Sequence, residues 1–154
     1  MPDKCEITFR YIQLALTIRT TTRLQDLPKV MEKSLKEIKE HLSKFEEEPT
    51  GPPFAAYYDI NMESESIDIE IGFPVSRAFA EVDNMTTSII PGGKIASCTH
   101  TGPYPGIPRA YLFLSDWVKE NGYETKDVVY EIYFNDPVVT PPQELTTQIF
   151  LFLK

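Results

Sequence analysis

Glu131 stands in the run VVYEIYFNDP, Val128 to Pro137, as one acidic side chain inside an otherwise apolar strand. Strand alternation puts Val129, Glu131 and Tyr133 on one face and Val128, Tyr130, Ile132 and Phe134 on the other, so both faces read as buried. A carboxylate in such a place needs a cation or several donors, or else it takes up a proton. The cation is read here as a ligand; the competing reading is a fold-organising ion pair with Arg10, Arg19 or Arg109. Aromatic side chains would complete a pocket for a cationic ligand, each ring face adding about 0.5 to 2 kcal/mol where water is excluded. Trp117, Tyr104, Tyr133 and Phe54 are the first choices for its wall, followed by Tyr57, Tyr111, Phe73 and Phe150, with Tyr58 and Phe152 also shared between ordinary core and pocket wall.

Other reactive side chains carry weaker chemistry. Cys98 and His100 share a strand face, but nothing supplies a third orienting group or an oxyanion hole, so His100 is read as a structural hydrogen-bonding residue. Neither histidine, His41 nor His100, belongs to a CxxC or HExxH pattern, so no metal and no cofactor is expected. Cys5 and Cys98, without a secretory apolar run ahead of them, fit reduced thiols in a cytoplasmic protein.

The chain of 154 residues is long enough for a continuous core and is expected to form one domain, residues 1–154, with two pseudo-repeats at about 1–80 and 88–154. Its 23 acidic and 15 basic residues leave a formal charge of -8, which repels nucleic acid and anionic membranes. No apolar run reaches the length of a membrane span.

The elements that must position Glu131 follow from the apolar patterns. Glu6 to Thr22 holds two alternating series that change phase at Tyr11 and Ile12, which predicts one long strand with a bulge. A helix follows, with Asp26 as N-cap, Pro28 in the first turn, and Leu27, Val30, Met31, Leu35, Ile38, Leu42 and Phe45 along one face. Phe54 to Ile60 and Ile67 to Phe73 then read as a hairpin, with Asp68 and Glu70 expected on its solvent face. The second half repeats this order: a strand over Lys94 to Thr101, a helix from near Ile107 to Asn121 stopped by Gly122, the Glu131 strand, and a closing strand over Thr146 to Leu153. Two strand-helix-strand-strand units predict an α+β fold, antiparallel sheet with two helices, and a central furrow for a ligand.

Six stretches, PFAAYYDI (53–60), DIEIGFPV (68–75), PGGKIASCTHTGPY (91–104), WVKENGY (117–123), YEIYFNDP (130–137) and the closing ELTTQIFLFL, resemble in order and spacing the GyrI-like domain, the effector-binding domain of AraC-type and BmrR-type regulators. The resemblance implies a duplicated fold with a small-molecule pocket, and the YEIY match places the ligand carboxylate on Glu131. It implies a multidrug-type, polyspecific receptor for hydrophobic, cationic aromatic molecules. The sequence begins directly with the first strand and so resembles stand-alone members, for which direct DNA binding is not expected. A protein partner, such as gyrase in a modulator role, is a further alternative. Some relatives are similar to hydrolases of electrophilic cyclopropane-type natural products; there Glu131 would act as general base while Tyr104 or Tyr133 polarises the leaving oxygen.

Overall fold

The computed structural model describes residues 4–61 and 63–154, the side chains of residues 60 and 61 excepted. The segment expected as one bulged strand is two strands, β1 (Glu6–Arg10) and β2 (Gln13–Arg23), parted at the phase change of Tyr11 and Ile12. The physical reason is that the two halves pair with different strands: β1 pairs with β6 and belongs with Gly92–Lys154, while β2 pairs with β4 and β5 and opens a second compact unit, Ile12–Pro91.

In the Ile12–Pro91 unit, β2 leads through a 3-10 turn into α1 (Leu27–Ser43), then β3 (Phe54–Asn61), β4 (Ser66–Pro74) and β5 (Met85–Ile90). The strands lie in the order β3, β4, β2, β5, all antiparallel. Helical spacing puts Leu35, Ile38 and Leu42 of α1 over Leu16 and Ile18 of β2 and Phe73 of β4, and this is the core. Asp26 occupies the N-cap position but makes no side-chain cap bond, because the chain already turns helically there. Phe45, expected on the buried face, lies beyond the last turn and is 49% exposed, touching His41 and Phe79 by ring edges.

In the other unit, β6 (Gly93–Thr101) is followed by a 3-10 turn, α2 (Ile107–Glu120), β7 (Thr125–Tyr133) and β8 (Thr146–Leu153). Its strands lie in the order β7, β8, β6, β1. Ile107, Ala110, Leu114 and Val118 of α2 pack on Cys98, Ile149 and Leu151. Gly122 closes the helix with φ 79°, the left-handed region that glycine enters without strain. The two units therefore share one plan, an α+β arrangement of antiparallel strands with one helix each. Each plan needs a fourth strand beside its first; β5 supplies it after the repeat, and β1 before it. The strand β5 was not expected, since only Met85 and Ile90 of its six residues are buried and its alternation is faint.

The expectation that Glu70 faces solvent is overturned: it is 8% exposed. Its carboxylate accepts hydroxyl bonds from Thr17 at 2.7 Å and Tyr58 at 2.6 Å. Beside it Asp68 takes both prongs of Arg19, at 3.1 and 2.9 Å, and this contact lowers the Asp68 carboxyl below its usual range. The Arg19 guanidinium lies 3.8 Å over the Tyr58 ring and helps roof Glu70. The alternation was right about the face; polar side chains, rather than water, cover it. Replacing Glu70 with Ala should cost about 1–3 kcal/mol in urea unfolding, because it takes the acceptor from two hydroxyls. Glu70→Gln, which keeps an acceptor oxygen, should cost less.

Candidate functional site

Register fixes which face of the sheet Glu131 occupies. It pairs with Ile149, and Val129 pairs with Leu151. Directly paired residues share a face, and Ile149 and Leu151 are core residues beneath α2, so Glu131 and Tyr133 lie on the α2 face. The opposite face carries Tyr130, Ile132, Phe150 and Phe152. There Tyr130 stacks on Phe150 at 4.9 Å, Phe152 meets both rings edge-on, and the Arg10 guanidinium lies 4.7 Å over Phe150.

Glu131 is half-buried, not sealed as the sequence suggested, because β7 ends at Tyr133 and Phe134 already faces outward. Its Oε1 accepts the Tyr133 hydroxyl at 2.6 Å, a short bond of the charge-assisted kind. The Tyr133 ring meets Tyr104 edge-on at 5.8 Å. Tyr104 comes from the 3-10 turn Tyr104–Gly106 that leads into α2 and packs on the same core. Burial, and then the negative charges of Asp136 and Glu131, push the Tyr104 phenol above the ordinary tyrosine range. Tyr104 thus stays a hydroxyl donor through neutral and mildly alkaline pH.

Two further groups were not singled out from sequence. Asp136 acts on Tyr104 from the loop after β7. Thr147, paired with both Tyr133 and His100, is fully buried, and its Oγ1 has no hydrogen-bond partner among the described residues. A threonine in a closing strand carries no sequence signal of this kind; only register brings it beside Tyr133.

The remaining expected residues are dispersed. Tyr111 and Trp117 are half-buried and pack against the α2 core. Phe150 is completely buried on the face opposite Glu131. Phe54, Tyr57 and Phe73 belong to the Ile12–Pro91 unit and are buried there. Of the three arginines named for Glu131, Arg19 pairs with Asp68 and Arg10 stacks on Phe150, while Arg109 is exposed on α2. Cys98 is buried against the Ala110 carbonyl, and His100 Nε2 lies 3.0 Å from the Pro103 carbonyl oxygen with Gly106 close against its ring. A surface cleft of about 360 Å³ lies beside α1, lined by Glu37, His41, Asp83 and their neighbours, and holds none of the expected site residues. No group of three or more His, Cys, Asp or Glu able to hold a metal occurs among the described residues. No helix there is long and apolar enough to cross a membrane.

The model of the GyrI-like small molecule binding domain matches residues 8–154. Among solved structures the chain is similar to the C-terminal domain of EcmrR, with 18% identity and TM-score 0.81 over 98% of this chain and 97% of that one. Against EcmrR in its complex with DNA the TM-score is 0.85 at 20% identity, and this chain spans 57% of that protein's length. It is similar also to a hydrolase from Listeria innocua, with 13% identity and TM-score 0.71 over 99% and 93% of the two chains. A fourth likeness, SAV2435 bound to tetraphenylphosphonium, has 9% identity and TM-score 0.70 over 98% and 94%. Likeness at these identities establishes the fold. Comparison with curated protein sequences finds no match.

The raised Tyr104 pKa has a signed consequence for stability. Its proton is held more tightly in the folded chain than in the unfolded one, so this contribution is complete below the ordinary tyrosine pKa and is lost as pH rises through the folded value. Alkaline unfolding followed by circular dichroism should therefore be less steep in Tyr104→Phe than in wild type, and the phenolate absorbance titration should lose one tyrosine from its part above the ordinary range.

Proposed function

The chain belongs to the GyrI-like small molecule binding domain family, and we propose that it takes hydrophobic, cationic aromatic molecules with Glu131 as their charge partner. The observation that carries this reading is the half-buried Glu131 carboxylate, oriented by Tyr133 and flanked by the Tyr104 ring. A partly desolvated carboxylate attracts a cation more strongly than a surface one, and ring faces add cation–π attraction that tolerates varied shapes. Multidrug-type, polyspecific binding follows from that combination. The tetraphenylphosphonium held by SAV2435, a lipophilic aromatic cation, is the ligand type this reading expects. Trp117 and Tyr111 are proposed as further wall residues, with Phe54, Tyr57, Phe73 and Phe150 as less direct contributors. The cytoplasm is the proposed location, given the two buried thiols Cys5 and Cys98.

One observation favours a second reading, hydrolysis. Tyr104 keeps its proton beside Glu131, so the pair could work as acid and base: Glu131 takes a proton from water as the water oxygen bonds to a strained ring carbon. Tyr104 then donates to the oxygen that receives the electrons of the broken carbon bond. The similarity to the Listeria innocua hydrolase suits this reading.

Titration of Trp117 fluorescence with a cationic dye, beside a neutral dye of similar shape, tests the first reading. Glu131→Gln should weaken the cation about tenfold, close to 1.4 kcal/mol, and leave the neutral dye unchanged. Equal losses for both dyes, or no binding of either, would sink it. Turnover of an electrophilic cyclopropane substrate that Glu131→Gln abolishes would establish the hydrolase instead.

A further inference from the structure

Among the described residues, β1 pairs with β6 alone and stands at the edge of its unit, with one row of backbone donors and acceptors unpaired. Natural edge strands are often blunted by proline, a bulge or like charges; EITFR has no proline and no bulge, and its two charges, Glu6 and Arg10, are of opposite sign. It instead ends in an exposed aromatic pair: Phe9 is 61% and Tyr11 84% exposed, their rings in edge contact at 5.3 Å.

The charges on this edge are self-complementary. In an antiparallel pair of two β1 strands centred on Thr8, Glu6 of each copy faces Arg10 of the other, and Ile7 faces Phe9. Shifting the register two residues one way sets Lys4 against Arg10, a like-charge contact; the other way leaves Arg10 opposite Thr8. Arg10 has a reason to prefer the first. It is half-buried over Phe150, its Nε is buried without a hydrogen-bond partner, and it makes no ion pair among the described residues. Burial lowers its affinity for its proton below that of an ordinary arginine, and a turn of the side chain from Phe150 to the free edge, where it meets Glu6 of the second copy, relieves that desolvation. Ile7 already packs on the α2 core, and Phe9 shares its face, so a second copy's Phe9 would extend that core outward.

We infer that β1 is a self-association edge, on which a second copy of this chain pairs antiparallel about Thr8 with Glu6 against Arg10. A five-residue strand with two aromatic side chains buries less than a standard interface, so the dimer is weak and its population rises with protein concentration.

Sedimentation velocity over a concentration series should show monomer and dimer in exchange. Glu6→Lys, at an exposed position, should weaken the dimer at least tenfold, and the exchanged pair Glu6→Arg with Arg10→Glu should restore it. Thr8→Cys provides a readout that does not require the exchanged variant to fold. Residue 8 faces itself across the axis, so mild oxidation should give a covalent dimer, while Thr21→Cys on β2 gives none; Cys5 and Cys98 are buried out of reach. A wild type that stays monomeric to about 1 mM overturns the inference. So does a Glu6→Lys variant that dimerises as well as wild type, or equal cross-linking at positions 8 and 21.

Discussion

A strand has two faces, and one helix covers only one of them; where α2 stops covering β7 and β8 decides what the groups on that face can do. Under the helix body the face is filled by Val129, Ile149 and Leu151. Beyond it, toward the end of β7, the same face carries Glu131 and Tyr133, with Tyr104 brought over them by the turn that starts α2. The carboxylate thereby sits at the margin of an apolar core, close enough to lose part of its hydration and far enough to keep access. Deeper burial would have required a fixed counter-ion, and full exposure would have left only the weak attraction of a surface charge.

The Ile12–Pro91 unit shows the other fate open to a carboxylate on such a sheet. Glu70 also accepts a tyrosine hydroxyl at 2.6 Å, yet a second hydroxyl from Thr17 and the Arg19 to Asp68 pair above Tyr58 close the space around it. Two glutamates with nearly the same first partner differ in what surrounds that bond. Glu70 is bound into the fold, and Glu131 lies beside a phenol that retains its proton. Neighbouring groups, more than the carboxylates themselves, separate the structural role of Glu70 from the binding role proposed for Glu131.

Much of this was legible in the sequence because it depends on local periodicity. The apolar stripe of α2, its glycine stop and the strand around Glu131 follow from residue spacing, and so does the division of β7 into two faces. Glu70 was misread because alternation reports which face a residue is on and not what covers that face; Thr17 and Tyr58 come from strands far away in sequence. The split of β1 from β2 had a visible sign, the phase change at Tyr11 and Ile12, but the reason lies in pairing: β1 takes β6 and β2 takes β4 and β5. Thr147 had no sign at all, since its place beside Tyr133 is a matter of register alone.

The two faces of β7 and β8 also set a rule for which ligands can go where. The face opposite α2 is the richer in rings, with Tyr130, Phe150 and Phe152 in mutual contact, and by ring count alone it would be the better cation site. Arg10 stands on that face with its guanidinium already over Phe150. Two unit charges about 4 Å apart at a protein surface interact by roughly 4 kcal/mol, against about 0.5 to 2 kcal/mol for a ring face. On the proposed reading, a ligand cation is therefore repelled from the larger aromatic cluster and attracted to the smaller one beside Glu131. The sign of one charge on each face, more than the number of rings, is what distinguishes the two faces for a cation in the proposed function.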